Sequence, residues 1–324
     1  MNTRCVEIEL PTIPLEKFDD ENALISLCTL SAINWGRIRK PEDFEKPMRL
    51  AVMALDSLLD YQDYPLKASK NSTDWYRSLG IGVNDFAHFL AKRGLKYGEP
   101  DTLEVVDEYM EAMSYYGIKA SVDLAKRYGA CGKVENTKYS LGITPKDARK
   151  KAVDELVVHQ ERFDWTALQE ELKLYGIRNA TLFACMPSET SSRVMNLTNG
   201  VEPIRDLITI KDGTSIVAPE AERLKNKYEI TWDIDAENYL KTMAVIQKWM
   251  DQGISINTTY DPSNFPDGKL SGALIFKHML LAYKYGLKTM YYNNNNKVAS
   301  QEVPQEVEKE LPPVDDAECE SCTL

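Results

Sequence analysis

Residues 178–200 read RNATLFACMPSETSSRVMNLTNG. An apolar strand breaks at Pro187 into a polar loop rich in hydroxyls, and a helix follows. The same alternation recurs along the chain. Residues 78–95, SLGIGVNDFAHFLAKRGL, predict a short strand or turn running into a helix that Gly94 caps. Residues 101–129, DTLEVVDEYMEAMSYYGIKASVDLAKRYG, predict one long helix ending at Gly129. Further helical patterns cover about 145–159, 164–175, 235–252 and 270–286, and another starts near Pro41 with Leu50, Met53 and Leu58 in its apolar stripe. Strand-like pieces are RCVEIEL (4–10), ALISLCTL (23–30) and KTMYY (288–292), and DLITIKDGTSIVAP (206–219) predicts a hairpin turning at Asp212-Gly213. Strands alternating with helices over 324 residues define an α/β architecture, barrel-like or open.

A hydrophobic fraction of 43% and a charged fraction of 27% are those of a soluble globular protein. A formal net charge of −11 argues against a nucleic-acid partner, which needs a basic surface. No apolar run reaches the roughly 18–20 residues of a membrane span and no secretion signal is visible, so the expected location is cytoplasmic. Six cysteines scattered at 5, 28, 131, 185, 319 and 322 do not form a disulfide scaffold, and the three histidines are too far apart in sequence for a simple zinc site.

The chemistry-bearing residues fall in four places. Cys5 and Glu7, two apart on a strand, share a face about 7 Å apart, so a thiol and a proton-moving carboxylate can address one substrate; a small core thiol beside an edge charge is the plainer alternative. Pro187, Ser188, Glu189, Thr190 and Ser191 supply hydroxyls and backbone N–H groups at a helix start, suited to a phosphate, although a plain N-cap has the same composition. Tyr291 and Tyr292 close the apolar part; adjacent tyrosines are commonly one core and one surface residue, or phenols oxidised in steps. From Asn293 onward eight acidic residues face two basic ones, with no periodic apolar face, so residues 293–324 read as a mobile tail. The tail ends in Cys319-Glu-Ser-Cys322, a dithiol on a tether whose roughly 25 residues span about 25–30 Å.

Together CVEIELPTIPL, ISLCTLSAINWG, ALDSLLDYQDYP, SLGIGV, MPSETSS, TNGVEP, NTTYDPSNFP, YGLKTMYY and the terminal CESC resemble, in order, the C-terminal part of the large subunit of class I ribonucleotide reductase. The resemblance implies the second part of a ten-stranded α/β barrel with C-terminal helical elements over residues 1–292, and a flexible acidic tail over 293–324. It implies that Cys5 becomes the thiyl radical that removes the ribose 3′ hydrogen, Glu7 is the base on the 3′ hydroxyl, and Cys28 is one member of the dithiol that reduces the 2′ carbon. The 187–191 loop would hold the substrate diphosphate, Tyr291 and Tyr292 would relay the radical, and Cys319 and Cys322 would re-reduce the active-site disulfide. Cys131 and Cys185 match no family role and read as structural.

The implied partners are a ribonucleoside diphosphate, an N-terminal fragment of the large subunit, the small subunit with its diiron–tyrosyl radical, and thioredoxin or glutaredoxin. This chain would bind no cofactor itself, and nucleotide effectors would bind the N-terminal part. Met1 lies inside the active-site strand, which fits one piece of a split, phage-type subunit; its compartment would then be the bacterial host's cytoplasm. The family has asparagine two residues before the radical cysteine, where this chain has Thr3, a substrate-binding position by resemblance. Asn2 lies one residue further out, and on a strand that offset faces the opposite way. The alternative function is a non-catalytic docking module for the small subunit.

Overall fold

The computed structural model describes residues 6–211 and 214–296. Its helices are α1 (Glu45–Tyr61), α2 (Lys67–Tyr76), α3 (Phe86–Arg93), α4 (Pro100–Tyr128), α5 (Pro145–Ala148), α6 (Trp165–Tyr175), α7 (Glu189–Val194), α8 (Ala221–Leu224), α9 (Ala236–Lys248) and α10 (Gly272–Tyr285). Strands β1 (Leu30–Asn34) and β2 (Gly80–Asn84) pair in parallel, as do β5 (Thr258–Tyr260) and β6 (Asn293–Asn295). Strands β3 (Ile208–Lys211) and β4 (Thr214–Val217) form the expected antiparallel hairpin, whose turn residues 212 and 213 lie outside the described ones.

Backbone hydrogen bonds join these pairs into a longer series. The Leu79 and Ile81 amides donate to Thr181 and Leu182, and the Ala184 amide donates back to Ile81. Cys185 then bridges in parallel to Ile254, and the Tyr291 amide reaches Ile256. Partner numbers rise together along each pair, as in parallel neighbours fed by helical crossovers. The order is therefore β1, β2, residues 181–185, residues 252–256, then 291–295. The regular pairing consists of two-stranded sheets, and no sheet closes among the described residues. Close approach requires glycine at Gly82, where a Cβ would lie 2.6 Å from the Ala184 carbonyl oxygen.

Helix α4 is the spine of the wall behind this series and packs against α1, α6 and α9. Its start has Pro100 in the first turn and its end is capped at Gly129. Two fully buried carboxylates tie it to its neighbours. Asp107 accepts from Lys248 Nζ at 2.8 Å and Trp249 Nε1 at 2.7 Å, while Glu111 accepts from Arg162 at 2.9 Å and Trp165 Nε1 at 3.0 Å. The aromatic core on the β1 side centres on Trp35, edge-on to Phe44, Phe86 and Phe89.

Several sequence expectations shift. The buried stripe of α1 is Met48, Val52, Leu55 and Leu59, whereas Leu50, Met53 and Leu58 are exposed on another face. The helix carries two apolar faces, and periodicity alone does not say which one packs. The strand read in 23–30 starts only at Leu30, and residues 6–10 form no regular strand. The pattern at 145–159 splits into α5 and a 3-10 turn, Lys151–Glu155. Pairing continues through Asn293–Asn295, beyond the Tyr292 boundary read from composition.

Asp107→Ala removes the nearer partner of the Lys248 ammonium, whose side chain is 0% exposed and whose other carboxylate, Asp154, lies 3.9 Å away. Loss of one partner from such a pair costs about 3–5 kcal/mol. The expected outcome is a urea midpoint lowered accordingly, partly restored by adding Lys248→Met; an unchanged midpoint would refute the assignment.

Candidate active site

Glu7 sits 2% exposed against residues 253–255. The Gly253 amide donates to the Glu7 carbonyl at 2.7 Å, Ser255 Oγ donates to Glu7 Oε2, and the Val6 amide donates to Ser255 Oγ at 3.1 Å. The carboxylate is thus fixed by a hydroxyl rather than by an ion pair among the described residues. Its charge reaches two thiols. Cys28 is exposed on one side, yet burial of the rest of the group and then the Glu7 charge push its thiol up. Cys185 is wholly buried, with its sulfur 3.7 Å from Met250 Sδ; burial pushes it up to about 12, and Glu7 adds to the rise. Cys131, buried against α2 and α6 ends, is raised to about 11, mainly by burial.

The 187–191 loop follows the 181–185 segment directly. Ser188 is buried and precedes α7, while Glu189, Thr190 and Ser191 are exposed in its first turn. Ser188 does not cap the helix with its side chain, so the plain N-cap alternative fails. Instead its backbone amide donates to Asn199 Oδ1 at 2.7 Å. Helix-start amides lack intrahelical acceptors, which leaves this turn able to meet an anion. Beside α7 a cleft of about 650 Å³ is lined by Arg193 and Arg205, by the carboxylates of Glu189, Glu202 and Asp206, and by apolar residues of the β3–β4 hairpin; Arg193 is paired with Glu189 at 3.2 Å.

Tyr291 and Tyr292 are neither a core nor a surface singleton. Their ring centroids lie 3.8 Å apart with planes at 37°, Tyr291 half-buried and Tyr292 exposed. Both are fixed by the main chain next to the Glu7 cradle: the Tyr291 amide donates to Ile256 at 2.8 Å, and the Thr258 amide donates to Tyr292 at 2.9 Å. Thr3, Cys5, Cys319 and Cys322 lie outside the described residues. Among the described residues no group of three or more His, Cys, Asp or Glu side chains could hold a metal ion, and no helix is long and apolar enough to cross a membrane.

Sequence reasoning missed Ser255, Asn199, Glu202 and Asn257. Glu202 is largely desolvated, and burial raises its carboxyl above the ordinary range although Asn257 donates to it. The available signal was the run Gly253-Ile-Ser-Ile-Asn, in which alternate residues are apolar, but five residues between two loops are too few to register as a strand.

The sequence pattern of the family described as "Ribonucleotide reductase, barrel domain" matches residues 4–218 and 215–293. The chain is 47% identical over 295 residues to the ribonucleoside-diphosphate reductase subunit alpha of Haemophilus influenzae, covering 90% of this chain and 39% of that one. It is 46% identical to ribonucleoside-diphosphate reductase 1 subunit alpha of Salmonella typhimurium, over 98% of this chain and 42% of the relative. Against the subunit alpha of Enterobacteria phage T4 it is 37% identical over 99% of this chain and 42% of the relative. The chain belongs to the ribonucleotide reductase barrel-domain family. It spans about two fifths of the length of these relatives.

Because a nearby negative charge disfavours thiolate, Glu7→Gln lowers the Cys28 pKa and raises its thiolate fraction at pH 8. Site-resolved alkylation by iodoacetamide should label Cys28 about 2–3-fold faster in the variant, a modest gain because burial is the larger cause. An unchanged or slower rate would show that Glu7 does not face the thiol.

Proposed function

We propose that this chain is the C-terminal catalytic part of the large subunit of a class I ribonucleotide reductase, acting on ribonucleoside diphosphates once assembled with the remainder of that subunit and with the small subunit. One observation carries the reading: in a member of this family, the Glu7 carboxylate, the 187–191 loop and the Tyr291–Tyr292 pair are all fastened to the neighbouring segments 181–185 and 252–258. In this scheme the chain supplies the second part of a ten-stranded barrel, residues 1–292 extended by the β6 pairing to Asn295, and the redox tail that follows. The other barrel strands come from an N-terminal fragment, which also binds the nucleotide effectors.

The chemistry then runs as follows. Tyr292 and Tyr291 would pass the radical inward to the Cys5 sulfur, the oxidising equivalent being what the small subunit's diiron–tyrosyl centre would supply. The Cys5 thiyl removes the 3′ hydrogen of the ribose, forming an S–H bond. Glu7 takes the 3′ hydroxyl proton, later returning it to the 3′ oxygen, while the 2′ hydroxyl takes a proton from the thiol pair that includes Cys28 and leaves as water. Cys28 and a second thiol from the N-terminal part give the two reducing electrons and become a disulfide; the 3′ hydrogen returns from Cys5, restoring the thiyl. Cys319 and Cys322 reduce that disulfide by exchange and are renewed by thioredoxin or glutaredoxin. Ser188 to Ser191 hold the diphosphate at the start of α7, and Thr3 stands where the family has asparagine.

The exposed apolar face of α10, with Phe276, Met279, Leu280 and Tyr283, supports small-subunit docking here, since the chain leaving α10 runs straight to Tyr291 and Tyr292. A cytoplasmic setting follows from the thiol chemistry, which needs a reducing compartment.

The test is reconstitution. The chain alone should reduce no ribonucleoside diphosphate, and addition of the N-terminal part and small subunit should restore turnover. In that complex Cys5→Ser and Cys28→Ser should each lower turnover about 10³-fold or more, since groups acting as a unit fail together. Full turnover by the isolated chain, or by the Cys5→Ser complex, would overturn the proposal.

A further inference from the structure

Three polar side chains that the mechanism above leaves unused, Asn199, Glu202 and Asn257, form a continuous path between the 187–191 loop and the tyrosine pair. At one end the Ser188 amide donates to Asn199 Oδ1 at 2.7 Å. Asn199 Nδ2 in turn lies 3.4 Å from Glu202 Oε2 and 3.4 Å from Glu189 Oε1, a donor shared between two carboxylates. The other oxygen of Glu202, Oε1, accepts from Asn257 Nδ2. At the far end Asn257 Oδ1 accepts the Tyr292 amide at 3.2 Å. The amide groups of Asn199 and Asn257 each use both ends, donor and acceptor, so neither can turn without breaking a bond at each side.

We propose that Glu202, held between Asn199 and Asn257, is a positioning residue that sets the Tyr291–Tyr292 pair according to whether a nucleoside diphosphate occupies the Ser188 loop. This deepens the reductase reading and rests on it. The physical basis is a competition for one donor. A diphosphate oxygen that takes the Ser188 amide displaces Asn199 Oδ1, and the freed Asn199 amide then redistributes its Nδ2 donor between Glu189 and Glu202. Glu202 is half-buried at the edge of the cleft beside α7, with one oxygen toward each asparagine, so the loss or gain of one hydrogen bond changes how its carboxylate is held. The change passes to Asn257 and so to the main chain of Tyr292, the exposed member of the pair. The ligand acts only through its different bonding in the two arrangements, which is what coupling between sites requires. The benefit is chemical: radical entry without bound substrate would leave a thiyl with nothing to reduce.

Glu202→Gln tests this with little change of shape. An amide offers one acceptor oxygen where the carboxylate offers two, so it cannot receive both Asn199 and Asn257. The measurement uses the complete holoenzyme, reconstituted with the N-terminal part and small subunit, with Tyr292 replaced by 3-aminotyrosine for radical detection by electron paramagnetic resonance and with native Tyr292 for kinetics. In the parent, adding a ribonucleoside diphosphate should increase the aminotyrosyl signal. In Glu202→Gln, and in Asn257→Ala, the signal should no longer respond to the diphosphate. With native Tyr292, kcat should fall about 10-fold while KM stays within about 3-fold, the pattern of an interaction not spent on ground-state binding. Where Asn257→Ala melts early, the near-isosteric Glu202→Gln decides. A Glu202→Gln holoenzyme that keeps the substrate-dependent signal, or whose loss lies wholly in KM, overturns the coupling. A parent holoenzyme that forms no radical and reduces no diphosphate instead overturns the reductase reading, and the coupling falls with it.

Discussion

Everything chemical in this molecule hangs on the short extended run from Gln252 to Thr258. Its main chain pairs on one side with residues 183–185, which lead into the 187–191 loop, and on the other with 291 and 292. The Gly253 amide and Ser255 hydroxyl hold Glu7, and the Asn257 side chain reaches both Glu202 and Tyr292. Seven residues thus register a carboxylate, the 187–191 loop and a phenol pair against one another. Backbone hydrogen bonds suit this task because their geometry is set by the ladder and not by rotamers. Gly253 is needed for the same reason: a Cβ there would lie 3.2 Å from the Glu7 carbonyl oxygen and 2.9 Å from Thr289 Oγ1.

The run is rigid because its ends are pinned. Asp251, just before it, accepts the Leu182 and Phe183 amides at 2.8 Å each and the Tyr139 hydroxyl at 2.9 Å, fastening the start of the neighbouring segment to the preceding turn. Behind it stands α9, which the Lys248–Asp107 pair and the Trp249 indole lock to α4. The helical wall is therefore specified by buried polar contacts as well as by apolar packing. A slip of α9 along α4 would separate Lys248 from Asp107 and leave each buried charge only its more distant partner, Asp154 at 3.9 Å and Arg162 at 3.4 Å, a cost larger than that of shifting one leucine against another.

The strand–helix alternation was legible because its punctuation is strong. Gly94 and Gly129 end their helices where the sequence says they should, and 78–95 and 206–219 fold as read. The loop at 187–191 and the tyrosine pair were legible as chemistry, through composition and resemblance. Pairing partners were not. Glu7 read as a strand residue beside Cys5, yet its partners are Gly253 and Ser255, nearly 250 positions away, and no local pattern encodes that distance. Asn199, Glu202 and Asn257 lie in stretches whose polar residues look like ordinary loop chemistry. The exposed choice of face on α1 was likewise undecidable, since both stripes are apolar and only the neighbours determine which one is covered.

The thiol environment bears on the proposed chemistry in a way that separates it from nucleophilic cysteine sites. Reactive cysteines of hydrolases and oxidoreductases sit beside cations or helix N-termini, which stabilise thiolate. Here Cys28 and Cys185 face a carboxylate and apolar surroundings, and both are pushed the other way. A thiol kept protonated is a poor nucleophile, but it retains the S–H bond that a reductant in radical chemistry must offer. Burial is the larger cause of that rise, and the Glu7 charge, held by the Ser255 hydroxyl, adds to it. In the proposed chemistry apolar surroundings and a carboxylate would thus act together to favour hydrogen donation over nucleophilic attack.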